Sequence, residues 1–373
     1  MPNRRHFIKA VAGATAGLIF TSCDLLDAAA ANAAAVKGAP ASLPQAAAPG
    51  GRKIVNVGGK RAKVIDIHAH CQVAELADVV KDTPFASRAA AARGLFVLGP
   101  KRIEALDARG IDVQVLNVNG FWWYAAERDL ADKIVKVQNQ KLAEWCSAHF
   151  DRFVALTSVA LQFPDLAAEQ LEYAVKQQGF KGAAIGGAVG DEALSSPRFD
   201  PFWAKAQELD VLVFMHPTGA ENVVKEGAWK GKGDLGNIIG DPLETAVFLA
   251  HMIYEGTLDR FPKLKICAAH GGGYLPSYLG RFEVACDVRP NANCANKKHP
   301  SDYLKEQIWA DTIVNSQEEV RHIVAEMGAG QVVYGTDIPF NWPDSIDFVL
   351  QNQFSDEDKL AILGGNLSKL LRI

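Results

Sequence analysis

The stretch VIDIHAH, residues 64–70, ends an apolar and β-branched run with two histidines. Successive side chains of a strand point to opposite faces, so His68 and His70 lie on the same side. No glycine-rich phosphate loop follows the strand, which argues against an open, doubly wound nucleotide-binding sheet.

The rest of the chain alternates short β-branched runs with longer amphipathic segments. The pattern predicts eight strands, at 64–70, 112–118, 153–159, 182–185, 211–216, 264–270, 307–311 and 331–337. It predicts helices at 130–149, 166–178, 202–209, 242–256, 275–284 and 316–327. Alternating strands and helices, at about 34 residues per unit, favour an α/β fold of the (β/α)8 TIM-barrel type. We assign this barrel to residues 61–373.

Three further strands end in residues that can bind a metal. The fifth predicted strand ends at His216, the sixth at His270 and the eighth at Asp337. The active site of a TIM barrel lies at these strand ends, which would bring the side chains together. Any one of them has an ordinary explanation, such as a packed histidine or an aspartate that caps a helix. Together they predict a site for one divalent cation, because imidazole and carboxylate ligands suit Zn²⁺ and related ions.

Four motifs resemble those of the amidohydrolase superfamily. They are DIHAH at 66–70, HP at 216–217, HGGGYLPSYLGR at 270–281 and GTDIPF at 335–340. More narrowly, they resemble the amidohydrolase-related branch, which holds aminocarboxymuconate-semialdehyde decarboxylase and metal-dependent aromatic-acid decarboxylases. The resemblance implies a TIM barrel of the metal-dependent hydrolase type.

The resemblance also implies roles for individual residues. The implied metal ligands are His68, His70, His216 and Asp337, and His270 matches the acid/base histidine. Zn²⁺ is the expected ion because the first strand carries two histidines, with Mn²⁺ as the alternative. The fourth predicted strand ends without the lysine that joins two metals in many relatives, which favours a single ion.

A bound divalent ion lowers the pKa of water and can anchor a carboxylate. The resemblance, which includes the segment 274–281, implies a lyase that decarboxylates an aromatic or unsaturated carboxylic acid, with metal-bound water and His270 assisting and His270 or Asp337 moving the proton. The same residues could serve hydrolysis of an ester, lactone or amide, which is the alternative. A non-catalytic exported binding protein is the minor alternative.

Three residues outside the ligand set are candidate substrate contacts. In the semialdehyde decarboxylase the arginine that matches Arg281 reaches the neighbouring subunit's site and binds substrate carboxylate, which implies a homodimer here. Arg281 is expected about two turns into its helix, too far along to reach its own barrel mouth. Trp122 and Trp123 follow the second strand. Their side chains could either pack in the core or form a wall of the substrate pocket.

Residues 1–35 have the three parts of a signal peptide: a basic start, a short apolar middle and a small-residue end. The paired Arg4 and Arg5 are typical of the twin-arginine route, which would make the protein periplasmic. Cleavage in the Ala-rich run 28–35 would release it, whereas a lipid on Cys23 would anchor it to the membrane. Residues 36–60 are predicted to be a flexible linker.

Composition sets the remaining limits. Of the 373 residues, 49% are hydrophobic and 22% charged, as in a folded globular protein. The formal charge is −4, so nothing in the charge balance supports a nucleic-acid partner. None of the six cysteines forms a CxxC pair, and Cys286 and Cys294 could be either a disulfide or two free thiols.

Overall fold

The computed structural model describes residues 51–89, 94–225 and 227–373. The predicted signal peptide, Cys23 and residues 36–50 of the predicted linker lie outside these ranges. The described chain belongs to two compact units. In the smaller unit, residues 74–89 form two short helices, Leu76–Val80 and Ala86–Ala89. The larger unit contains all other described residues.

Eight parallel strands form the centre of the larger unit. They are β1 Ile65–Asp66, β2 Val113–Leu116, β3 Phe153–Ala155, β4 Gly182–Ile185, β5 Leu212–Met215, β6 Lys265–Ala268, β7 Ile308–Asp311 and β8 Val332–Val333. One sheet has the order β1-β2-β3 and the other β4-β5-β6-β7-β8. Single parallel bridges, Thr157 to Ala183 and Ala69 to Ile338, join the sheets at both edges. The strands therefore follow one another in a ring in chain order, as the sequence predicted.

Helices separate the strands along the chain. The main ones are α1 Pro100–Arg109, α2 Arg128–Ala148, α3 Pro164–Gln178, α4 Asp200–Glu208, α5 Asp241–Tyr254, α6 Leu279–Val288, α7 Gln317–Met327 and α8 Ser345–Gln351. Shorter helices are Thr257–Arg260, Pro300–Glu306, Asp356–Leu360 and Asn366–Leu371. Proline opens α1 and α3, and a left-handed glycine ends each of them, which is the usual chemistry of helix ends.

The core lies between the strands and the surrounding helices. All four residues of β2, of β4 and of β5 are buried, as expected of a parallel sheet covered by helices. The largest fully buried side chain is Trp203 of α4, which packs in one cluster with Phe202, Met252 and Tyr303. No helix in the described ranges is both long and apolar enough to span a bilayer.

Two sequence-based boundaries differ from the structure. The predicted linker reached residue 60, but Asn56–Val57 and Lys60–Arg61 form an antiparallel hairpin. Its valines Val55 and Val57 are buried, so this segment belongs to the fold. The helix predicted at 275–284 is also displaced: a 3₁₀ turn at Pro276–Tyr278 comes first, and α6 begins only at Leu279.

Candidate metal centre

Four buried side chains converge at the carboxyl ends of three strands. His68 and His70 follow β1, His216 follows β5 and Asp337 follows β8. One ligand atom from each of the four lies within 4.8 Å of the others. The structure thus brings together all four residues that the motifs indicated, and it can hold a divalent cation there.

Several atoms in this cluster are buried and make no hydrogen bond. Nε2 of His68, Nε2 of His70 and Oδ1 of Asp337 all have this property. Yet Asp337 Oδ1 lies 3.1 Å from His68 Nε2 and 2.8 Å from His70 Nε2. Buried polar atoms without partners are rare because their desolvation is costly. Polar atoms that face one another without a hydrogen bond are expected where all of them bind one cation. The residues present therefore suit the implied metal.

A carboxylate on β7 orients His68. Nδ1 of His68 lies 2.6 Å from Asp311 Oδ2, with both side chains fully buried. With a cation at Nε2, this contact would keep the single proton of His68 on Nδ1. Burial lowers the pKa of His68, but the Asp337 and Asp311 carboxylates outweigh it and raise that pKa to about 10. The cluster therefore favours positive charge at this point.

The other ligands have the charge states that metal binding needs. Burial raises the pKa of Asp337, but His68 and His70 more than compensate and hold it well below its usual range. Burial, with the neighbouring imidazoles, lowers the pKa of His216 well below its ordinary value. Asp337 is thus a carboxylate and His216 a neutral imidazole, and these forms bind cations.

His270 lies beside the four ligands. Its ring centroid is 5.1 Å from that of His68 and 5.2 Å from that of His216. Nδ1 of His270 is buried and makes no hydrogen bond within the described chain. Burial, followed by the charge on His68, lowers the pKa of His270 to about 4, so the imidazole is neutral near pH 7. It is placed to exchange a proton with a molecule bound at the centre.

The backbone is strained at two of these positions. His270 and Asp337 have φ values of 54° and 59°, in the left-handed region that few side chains other than glycine favour. Such conformations cost about 1–3 kcal/mol each and cluster at functional sites. Gly335 allows β8 to approach β1, because a Cβ there would lie 2.8 Å from the Cβ of His68.

Asp66 of β1 makes its hydrogen bonds away from the imidazoles. Its Oδ1 accepts from the backbone amides of His68 and Thr336 at 3.1 and 3.0 Å. Its Oδ2 accepts from Gln114 Nε2 and Thr336 Oγ1, both at 2.7 Å. Asp66 instead ties together β1, β2 and the segment after β8.

The three candidate substrate contacts lie in different surroundings: the two tryptophans are buried, and Arg281 is exposed. The Trp122 indole is buried and donates from Nε1 to the carbonyl of His216 at 3.3 Å. Trp123 is also buried, and its carbonyl accepts from Gln162 at 3.1 Å. Arg281 lies instead on the exposed surface of α6, in the first turn. The prediction that it lies two turns along its helix is wrong, because α6 begins later than expected.

Sequence reasoning missed an aromatic wall beside His70. The ring of Phe340 lies 5.1 Å from His70, and Phe96 lies 5.8 Å from Phe340 and 6.4 Å from Phe121. All three phenylalanines are partly exposed, so they offer apolar surface at the strand ends. Phe340 ends the GTDIPF motif and could have been singled out, whereas Phe96 lies 26 residues from His70 in an unpatterned segment.

The fold is a ring of eight parallel strands. Three histidines and one aspartate lie together at the strand ends, as in a barrel that binds a metal. Residues 65–373 match the family model Amidohydro_2, described as Amidohydrolase, and the chain belongs to this family. The predicted superfamily and fold are confirmed.

Several proteins that this chain resembles are decarboxylases. The chain is 32% identical over 282 residues to 2-amino-3-carboxymuconate-6-semialdehyde decarboxylase of Dictyostelium discoideum, which covers 72% of this chain and 75% of that protein. It is 29% identical over 290 residues to gamma-resorcylate decarboxylase of Rhodococcus jostii (strain RHA1), covering 73% and 87%. A crystal structure of 5-carboxyvanillate decarboxylase from Novosphingobium aromaticivorans DSM 12444 superposes with a TM-score of 0.74 at 22% identity, covering 84% and 97%. That structure holds manganese and 3-methoxy-4-hydroxy-5-nitrobenzoic acid.

Proposed function

We propose that this protein is a metal-dependent decarboxylase of an aromatic or unsaturated carboxylic acid. The observation that carries the proposal is the buried cluster of His68, His70, His216 and Asp337, with neutral His270 beside it. The decarboxylases among the relatives supply the reaction class.

A divalent cation held by these four residues would bind the substrate's polar oxygens and act as a Lewis acid. His270 and Asp337 move the proton that the reaction needs. When the bond to the carboxylate breaks, its electron pair stays on the ring or chain carbon and CO2 leaves. That carbon takes up one proton in exchange. Because His270 is neutral and Asp337 is a carboxylate, whichever of them delivers this proton would first take it from water or from the acid form of the substrate, which balances the step.

We propose one Zn²⁺ ion per chain. Three imidazoles and one carboxylate form a ligand set that suits zinc, whereas manganese favours more oxygen ligands. The end of β4 supports a single ion, because Gly186 and Gly187 stand where a bridging lysine would be needed. Manganese in the 5-carboxyvanillate decarboxylase makes Mn²⁺ the ion to compare.

For the substrate we propose a flat acid that packs against Phe96, Phe121 and Phe340, with Trp122 and Trp123 as further contacts. We also propose that Arg281 of a second copy binds a substrate carboxylate, as a planar guanidinium can do with two hydrogen bonds. The exposure of Arg281 and the absence of any ion pair for it within the described chain support this role.

The test is a substrate panel. Purified protein of known metal content is incubated with hydroxybenzoates and muconate-type acids, and CO2 release is measured. Hydrolysis of esters and lactones is followed separately. We expect CO2 release from at least one acid, lost on His270→Asn while metal content stays unchanged. Hydrolysis without CO2 release from any acid would favour the hydrolase alternative.

We further propose that the protein is exported by the twin-arginine route and works in the periplasm. The Cys286–Cys294 disulfide supports a periplasmic location, since disulfides persist mainly in oxidising compartments. Cys23 is a candidate site of lipid attachment. Replacing Arg4 and Arg5 by lysine should leave the precursor in the cytoplasm, and unchanged export would contradict the proposal.

A further inference from the structure

Glu244 is a buried carboxylate close to the metal centre. It is 4% exposed and lies in the first turn of α5. Within the described chain no cation pairs with it, and its partners are all neutral. The backbone amide of Gly187 donates to Oε1 at 3.2 Å, and the amides of Thr218 and Ala220 donate to Oε2, each at 2.9 Å. A buried charge is costly unless it is fully hydrogen-bonded, so this arrangement needs a reason.

These donors lie in the segments that follow β4 and β5. Gly187 is two residues beyond β4, and Thr218 is two residues beyond His216. A Cβ at Gly187 would lie 2.6 Å from Glu244 Oε1, so glycine is what permits the approach. Glu244, at the start of α5, thus makes hydrogen bonds to the segments that follow two adjacent strands, β4 and β5, at the mouth of the barrel.

The same contacts reach His216 through one peptide group. Nδ1 of His216 lies 2.7 Å from the carbonyl oxygen of Pro217. The N–H of that peptide group belongs to Thr218, and it donates to Glu244. In a trans peptide the C=O and N–H point in opposite directions, so the group links the carboxylate to the imidazole in line. A carboxylate on the N–H side also polarises the carbonyl and makes it a better acceptor.

We propose that Glu244 is a positioning residue for the metal: by holding the Pro217–Thr218 peptide, it keeps the proton of His216 on Nδ1 and directs Nε2 at the ion. The proposal rests on the metal centre proposed above. Asp311 orients His68 by direct contact with Nδ1. In this proposal Glu244 orients His216 in the same way, but through one intervening peptide group. Outer partners of this kind typically change metal affinity by about 10–100-fold when removed.

The test compares Glu244→Gln with the wild type, using metal binding as the readout. Competition with a chelator gives the Kd for Zn²⁺ and Mn²⁺, and the visible spectrum of the Co²⁺-loaded protein reports ligand geometry. We expect Glu244→Gln to raise the Kd about 10–100-fold and to alter the Co²⁺ spectrum. Glu169→Gln, on the exposed surface of α3, is the matched control and should change neither.

A folded Glu244→Gln protein with wild-type Kd and Co²⁺ spectrum would overturn the proposal. So would a weaker Kd with an unchanged spectrum, because general destabilisation would then suffice. If Glu244→Gln does not fold, Glu244→Asp replaces it, and a wild-type Kd and spectrum in that variant would equally reject the role. A wild-type protein that binds no metal would instead reject the proposed function.

Discussion

His68 lies between two carboxylates that do different work. Asp337 faces Nε2 and shares that space with His70, whereas Asp311 contacts Nδ1. The second oxygen of Asp311 accepts from the backbone amides of Gly271 and Ile313 at 3.1 and 3.0 Å. Asp311 is therefore held in one orientation by β7 and the loop after β6, and it transfers that order to His68.

Asp311→Asn should weaken metal binding without unfolding the protein. The two amides would keep the asparagine oxygen, which turns its NH2 group towards His68 Nδ1. His68 would then carry its proton on Nε2, the atom that must face the metal. We expect the Kd for the metal to rise about 10–100-fold, measured by chelator competition. Asp151→Asn on the surface is the control, and an unchanged Kd for Asp311→Asn would contradict the tautomer argument.

The five residues of the centre could be predicted because each lies within four residues of the end of a strand and belongs to a short motif. Asp311, which contacts His68, could not be predicted in this way. Asp311 lies 243 residues away and meets His68 only because the ring brings β7 next to β8 and β1. Glu244 was hidden for a similar reason: it lies on a helix and acts through a backbone group, which leaves no pattern in the sequence.

The helix α6 presents an unusual surface. Tyr278, just before it, and Val284 and Val288 within it are exposed, at 59%, 49% and 65%. Within the helix, Val284 and Val288 come three and seven residues after Arg281, which places them on the same side as that arginine. Exposed apolar groups around a single arginine are typical of a contact surface with another chain. This arrangement supports the proposal that Arg281 serves a second copy of the protein.

Arg281→Ala should raise KM and lower kcat for a carboxylate substrate while leaving metal content intact, because the arginine is remote from the ligands. Mixing it with inactive His270→Ala protein should restore part of the activity, since some hybrid dimers hold one complete site. The measurement is CO2 release after confirmed subunit exchange. A monomer in solution, or exchange without rescue, would reject the shared site.

Element positions were predictable in the sheet and less so around α6. Residues 182–185 were expected to form a strand and do so as β4, because an apolar run ending at paired glycines has clear limits. The start of α6 was missed. Gly271, Gly272 and Gly273 all have positive φ, and Tyr278 departs from helical geometry before Leu279 begins the helix. Those angles depend on packing against β7 and α5, which no local pattern records.

At the scale of the whole molecule, the metal centre lies across the junction that closes the ring. His68 and His70 follow β1 and Asp337 follows β8, and a single bridge between Ala69 and Ile338 joins these strands. Three backbone bonds also join the two segments, from Ile67 N to Tyr334 O at 3.1 Å, from His70 N to Ile338 O at 2.7 Å and from Asp337 N to His68 O at 2.8 Å. His216 adds a ligand from β5, on the other side of the ring. A cation would thus add a further link between the first and last strands of the ring and would connect both to β5.

Metal removal should therefore destabilise the entire barrel. An ion that binds only the folded chain stabilises it by about 2.7 kcal/mol at a free concentration 100 times its Kd. Urea unfolding with and without a chelator measures this difference, and the stability should rise with the logarithm of free metal. His216→Ala removes one ligand while leaving the bridge between β1 and β8, so its stability should depend on metal much less. Equal stability of the metal-loaded and metal-free wild type would show that the ion does not contribute to closing the ring.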